Sequence, residues 1–287
     1  MNRDSGRSDP AVPVADRARC AGDPSRPVTE QPHYFRRVAP QRFAPTLHVG
    51  GAWDAGEQHV GPLAGLLVHE LDRWCRNGGS GRLLSRVTFD ILGPIALAEF
   101  DIHVETLRAG RTVELVEAVA VVADRPAVVA RAWYSTIADT ESVAGGQPPA
   151  LPAPDAVVPW PLTAVWPGGY IASLDARPIG APRLGRTAAW ISTGTVLLVG
   201  EPVSELASFV ALVDTANGIA VREQPDRWLF PNLDLTIHLY RQPRGRWVGL
   251  DASVTFGRCG QGLTSTVLHD IDGPVGHAQQ TLAVRPR

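Results

Sequence analysis

The chain has 287 residues, a formal net charge of −2 and 44% apolar residues. That is enough for one large core or two moderate ones. The near-neutral balance, with no basic run that could neutralise a row of phosphates, excludes a nucleic-acid-binding surface. Lys is absent and Met1 is the one methionine, a compositional bias that devalues any single Arg as a phosphate clamp. Cys20, Cys75 and Cys259 are scattered without ligand spacing, so neither a disulfide framework nor a metal site is expected.

Residues 1–33 mix Arg, Asp, Ser and Pro without the apolar stretch of a secretion signal and read as a disordered tail. No apolar run is long enough to span a bilayer, so a cytoplasmic protein without a membrane span is expected. From 62 to 76, Leu63, Leu67, Leu71 and Trp74 fall on one helical face. Strand-like segments follow at 85–92, 98–107, 112–123 and 127–137, separated by turn signals at Gly93-Pro94, Ala109-Gly110 and Asp124-Arg125-Pro126. The span 140–186 is crowded with Pro and Gly and reads as a linker.

Beyond it the order repeats, with a helical run at 203–220, its central helix at 205–220, and strands at 234–240, 247–256, 262–270 and 275–284. Turn residues answer one another: Pro94 and Pro243, Arg108 and Arg258, Gly110 and Gly260, Asp124 and Asp272, Pro126 and Pro274. The offset stays at about 149 residues, the mark of an internal duplication. One long helix followed by antiparallel strands is the order expected when a sheet curls around a central helix. The expectation is therefore an α+β double hotdog, with two antiparallel sheets each wrapping a central helix. Its units would be 34–139 and 187–287.

Several strings resemble the acyl-CoA thioesterase II family from about Tyr34 to the C-terminus. In the first half they are FAPT at 43–46, GAWD at 51–54 and QHVGPLAGLL at 58–67. In the second they are LVDTANG at 212–218, PNLDLTIHLYR at 231–241 and AQQTLAV at 278–284. The resemblance implies two fused hotdog units sharing one active site, an acyl-CoA substrate, hydrolysis of its thioester in lipid metabolism, and no cofactor. It also implies that an Asp on the second central helix, a Thr or Ser at the next strand start and a Gln in the last strand hold and activate a water. The matching positions are Asp214, Asn232 and Gln280, and Asn232 departs from the family pattern.

An Asp in the last helical turn, amid apolar residues, faces the negative end of the macrodipole and loses solvation; both raise its pKa and suit it to be a general base. A Gln amide donates and accepts, so Gln280 can hold a water while Asp214 takes its proton. Periodicity does not say whether Gln279 or Gln280 points inward. Asn232, following Pro231, also fits an ordinary turn. Gly61-Pro62 opens the first helix, and the Gly61 amide is a candidate donor to the thioester carbonyl, hence a substrate-binding group. Applied in reverse, the offset puts Gly65, Leu83 and Ala132 opposite Asp214, Asn232 and Gln280, none able to activate water, so one site per chain is implied.

The histidines form no Ser/His/Asp or HExxH arrangement, and His238 and His269 read as surface or core groups. No GxSxG elbow or phosphate loop is present. An enoyl-thioester hydratase on the same fold needs a His beside an acid, and none stands at the expected helix position near Asp214. A non-catalytic acyl or acyl-CoA-binding protein is the alternative, with turnover lost through Asn232. A homo-oligomer is left open.

Overall fold

The computed structural model describes residues 31–79, 81–156 and 158–287; the tail expected at 1–33 falls almost wholly outside them. The described chain opens on a hairpin, β1 (His33–Ala39) and β2 (Arg42–Pro45), whose Phe35 and Phe43 are fully buried. Helix α1 (Val60–Asn77) follows. Four strands come next: β3 (Arg82–Ile91), β4 (Phe100–Arg108), β5 (Val113–Val122) and β6 (Arg125–Thr136). The β5–β6 turn places Ala123 and Asp124 at positive φ, 49° and 59°, the geometry whose twist matches a two-residue hairpin.

A short helix α2 (Gly169–Ala172) precedes β7 (Leu174–Arg183), β8 (Arg186–Thr193) and β9 (Val196–Leu198). Helices α3 (Glu205–Val213) and α4 (Thr215–Ile219) come next. The chain ends with β10 (Trp228–Leu229), β11 (Asp234–Leu239), β12 (Val248–Phe256), β13 (Gln261–Asp270), β14 (Gly273–Ala283) and β15 (Arg285–Pro286).

Thirteen strands form one sheet in the order β7-β8-β12-β13-β14-β11-β3-β6-β5-β4-β2-β1-β9, and β10 pairs β15 separately. The strands of the two halves thus run together rather than forming two separate sheets. The join is the antiparallel pair β11–β3, with Asp234 opposite Asp90 and Ile237 opposite Val87. Each would otherwise be a bare edge of its own half, with unpaired backbone groups. Outward from this join the two sides read β3-β6-β5-β4-β2-β1 and β11-β14-β13-β12-β8-β7. The duplication therefore reaches further than the sequence offset indicates, because β7–β8 answers the opening hairpin β1–β2. The span 140–186 holds the first strand of the second copy and α2 as well as connecting chain.

Helices α1 and α3 pack on each other. In addition, α1 lies against β4, β5 and β6, while α3 meets β12 and α4 meets β12 and β13. Close helix–helix approach depends on Gly65, where a Cβ would fall 2.6 Å from the Ala211 Cβ and 2.7 Å from the Ala207 carbonyl oxygen. Glycine inside a helix costs roughly 1 kcal/mol relative to alanine, and here nothing larger fits. Small inward residues in β5 and β6, Ala118, Ala120, Ala130 and Ala132, are all fully buried and let the sheet lie close over α1. Among the described residues, no helix is long and apolar enough to cross a membrane.

Candidate active site

The second central helix is shorter than the 205–220 run expected: α3 ends at Val213, and Asp214 caps both α3 and α4 with helical dihedrals of −61° and −16°. Its carboxylate is buried, 5% exposed, within a run of residues, 209–217, that are all buried. Burial pushes its pKa above the usual carboxylate value, opposed by His59 and by two amide hydrogen bonds. The negative end of α3 acts in the same direction as burial and the positive end of α4, which Asp214 opens, acts against it.

Asp214 Oδ1 accepts from Asn232 Nδ2 at 2.8 Å and from Gln280 Nε2 at 2.8 Å. The structure brings these three residues together from α3, the segment before β11, and β14. Asn232 is held from two sides, since its Nδ2 also reaches the Asp234 carbonyl oxygen at 3.2 Å. Gln280 is 1% exposed, and its Oε1 is buried with no partner among the described residues. Gln279 lies on the other face of β14 and accepts from Ser265 Oγ at 2.8 Å. The strand pairing thus settles which glutamine points inward, a question the irregular alternation of the sequence leaves open.

Gly61 does not stand as expected. Its N–H donates to His59 Nδ1 at 3.1 Å, and a Cβ there would lie 2.8 Å from the Ala211 carbonyl oxygen and 3.1 Å from the Tyr170 hydroxyl. The glycine is needed for packing of α1 on α3, and its amide serves the helix cap rather than a ligand.

The residue that sequence reasoning missed is His59. It is the N-cap of α1, and its Nδ1 lies 3.3 Å from Asp214 Oδ2. A histidine beside the acid was sought on the second helix and is supplied by the first. The ring stacks on Tyr170 at 4.2 Å between centroids. Tyr170 donates its hydroxyl to the Ala211 carbonyl oxygen and shares a 2.9 Å hydrogen bond with Thr215 Oγ1, which fixes the imidazole between α2 and α3. Burial lowers the His59 pKa against the opposing pull of Asp214. Both shifts favour the uncharged form of each partner. The signal available in the sequence was a histidine at the N-cap position directly before Val60 and Gly61; Tyr170 lay in the Pro/Gly-rich span.

His59, Asp214 and Asn232 line a cleft of about 420 Å³ with Trp53, Glu57 and Gln58. The same three line a smaller cavity of about 40 Å³ with Trp53, Trp166 and Thr215, large enough to hold a water. Gln280 stands behind Asp214 and is on neither wall. Trp53 meets Trp166 and Phe230 edge-on at 4.9 and 5.3 Å, forming an apolar flank. Among the described residues, no group of three or more His, Cys, Asp or Glu could hold a metal ion.

Residues 49–135 match the family described as acyl-CoA thioesterase N-terminal domain, and 147–284 match the acyl-CoA thioesterase C-terminal domain. A sequence comparison with curated proteins finds no match. Among solved structures, a putative thioesterase from Novosphingobium aromaticivorans is similar at 19% identity and a TM-score of 0.65, over 87% of this chain and 98% of that one. A hot dog fold protein of unknown function from Alicyclobacillus acidocaldarius gives 14% and 0.65, over 88% and 95%. An acyl-CoA thioesterase II from Mycobacterium marinum gives 15% and 0.60, over 88% and 96%. At these identities the structural likeness shows the hot dog fold.

Proposed function

We propose that this chain, which belongs to the acyl-CoA thioesterase family, hydrolyses fatty acyl-CoA or related thioesters with a water activated at Asp214. The observation that carries the reading is the treatment of that carboxylate. It sits at the wall of a cleft, its pKa lies above the ordinary value through burial, and one oxygen is fixed by two amides. A carboxylate whose pKa is raised takes a proton from water more readily than an ordinary one. The attacking water belongs to the small cavity that His59, Asp214 and Asn232 line, while Gln280, off both cavity walls, and Asn232 fix the acid through Oδ1. In place of Gly61, the Val60 amide, in the first turn of α1 and at the cleft, is the candidate for polarising the carbonyl. The aromatic flank suits the apolar part of an acyl thioester.

On this reading the fold is two fused hotdog units, each half of the sheet wrapping its own helix, with the second unit beginning before β7. The reaction belongs to cytoplasmic lipid metabolism and needs no cofactor. Thiol release from a panel of acyl-CoAs, set beside binding of the same panel, tests it. Release with saturation supports the thioesterase; binding without release supports the non-catalytic alternative, in which Asn232 has cost turnover. The His59–Asp214 pair also favours a second reading, addition of water to a 2-enoyl thioester, which loss of the conjugated enoyl absorbance would reveal.

A further inference from the structure

We infer that His59 is a catalytic residue of this site, the acid that protonates the sulfur leaving group. The inference rests on the thioesterase reading and assigns a role to a group which that reading does not use.

The geometry begins with a conflict at Nδ1. That nitrogen accepts the Gly61 N–H at 3.1 Å and also faces Asp214 Oδ2 at 3.3 Å. A neutral imidazole carries one N–H, so a ring accepting at Nδ1 carries its proton on Nε2. Nδ1 and a carboxylate oxygen would then meet as two acceptors, a contact relieved when a proton lies on Asp214 Oδ2. That is the proton Asp214 acquires when it deprotonates water. Asp214 Oδ1 is already saturated by Asn232 and Gln280, which leaves Oδ2, the oxygen facing His59, to carry it. Nε2 has no partner within the protein among the described contacts, and the ring lines the cleft.

The step balances. As water adds to the thioester carbon, its O–H bond breaks and the proton passes to Asp214 Oδ2, giving a tetrahedral oxyanion. Collapse of the oxyanion breaks the C–S bond. The thiolate takes the Nε2 proton while Nδ1 takes the proton from Oδ2, so Asp214 returns to carboxylate and His59 to the other neutral tautomer. The products are the thiol and a carboxylic acid; the acid's proton passes to Nε2 and the Nδ1 proton leaves to solvent, which restores the starting tautomer and the Gly61 N–H bond to Nδ1. The titratable and charged groups around the ring are Asp214 from the α3–α4 junction, Tyr170 from α2, and Asp54, Glu57 and Arg285 along the cleft. Of these only Asp214 is in ion-pairing reach of the imidazole.

His59→Asn is the informative variant, because Asn is a favoured N-cap whose oxygen can accept the Gly61 N–H while nothing replaces Nε2. The full chain and this variant are assayed on an acyl-CoA and on the 4-nitrothiophenyl thioester of the same acyl group, whose thiol leaves without a proton. Loss of about 100-fold in kcat on acyl-CoA, within the range for one acid–base group, together with a loss of less than about 5-fold on the aryl thioester, is expected. Equal losses on both substrates, or none on either, overturn the assignment. His59→Gln, which keeps a polar group near the Nε2 position, checks folding and should show the same selective loss. If the wild-type chain releases thiol from neither substrate, the thioesterase reading fails and this role fails with it. If it releases thiol from both, only His59 is in question.

Discussion

The helix pair α1–α3 presents the same construction at both ends, with a different outcome at each. At one end the N-cap of α1, His59, meets an acid at the end of α3, Asp214. At the other, the N-cap of α3, Ser204, donates to an acid in the later part of α1, Asp72, at 3.1 Å. Both carboxylates have pKa values raised by burial. Their partners differ: Asp72 is satisfied by two hydroxyls, Ser204 and Tyr134, the latter at 2.9 Å. Asp214 is held by two amides and faces an imidazole, and its neighbour Gln280 keeps a buried acceptor with no partner among the described residues. The helix pair thus carries a buried acid, Asp214, and a half-buried one, Asp72, and on the proposed function the groups around each make one reactive and the other structural. Opposite Asp214, Asn232 and Gln280 the offset places Gly65, Leu83 and Ala132; the space at Gly65 is filled by packing of α3, Leu83 is exposed at 42%, and Ala132 is buried in the core.

The comparison is most easily broken by neutralising each acid in turn. Asp214→Asn should lower kcat for thiol release by about 100-fold or more, the contribution of a general base. It should leave the melting temperature unchanged or higher, since an Asn Oδ1 still accepts both amides. Asp72→Asn should leave kcat within about 3-fold. Comparable kinetic losses in the two variants would mean that the ends are not functionally distinct. The acid limb of the rate profile sharpens the same point. Activity requires ionised Asp214, so it is present above the folded-state pKa of that group and is lost as pH falls through it. Because burial raises that pKa, the loss sets in at higher pH than for an ordinary exposed carboxylate. For stability the sign is opposite: a raised folded pKa makes ionisation unfavourable, so lowering the pH relieves the fold. A rate that falls only where free carboxylates titrate would remove the argument that burial tunes the base.

Asn232 comes next in size. Its Nδ2 serves both the turn, through the Asp234 carbonyl, and the acid. Asn232→Thr should retain or raise turnover, since a hydroxyl can still donate to Asp214. Asn232→Leu should reduce turnover by up to about 100-fold through misplacement of the reacting groups, while acyl-CoA binding persists. Unchanged hydrolysis in both variants would reduce Asn232 to a turn residue.

Much of this architecture is legible in the chain because local rules and the fold agree. Eight strands of the two copies lie within a few residues of where alternation and turn signals put them, since Gly, Pro and Asp mark hairpin ends whose backbone needs them. The strand at 174–183 is hidden because Pro178, Gly180 and Pro182 mimic a linker, yet β7 lies at a sheet edge, where prolines are tolerated. Asp214, Asn232 and Gln280 could be named from family resemblance alone; nothing in their spacing says that they meet. His59 escaped because its partner is 155 positions away on another helix, and only the packing of α1 on α3 through Gly65 puts them in contact. The helix break at Asp214 is likewise invisible to periodicity, because the apolar run continues across it. At Gly61, read as ligand access, the structure shows the amide bonded to His59 Nδ1 and the space taken by α3.

The smallest expected effect lies at the structural end and tests whether it is only structural. Ser204 caps α3 by accepting from the Ala207 N–H at 3.2 Å and donates to Asp72. Ser204→Ala removes an N-cap worth about 1 kcal/mol and leaves Asp72 to Tyr134 alone. Asp72 keeps one strong donor and is only partly buried, so the carboxylate should re-solvate rather than disrupt the helix pair. The expected result is a melting temperature lowered by a few degrees, with kcat and KM for acyl-CoA unchanged. The analogous change at the other end, His59→Ala, removes a cap of similar worth and should show a comparable stability loss. Its kinetic loss should be much larger, because there the cap is also part of the chemistry. Equal melting shifts with unequal kinetics would separate the two ends by function alone, whereas a kinetic effect of Ser204→Ala would show that the Asp72 end communicates with the cleft through α3.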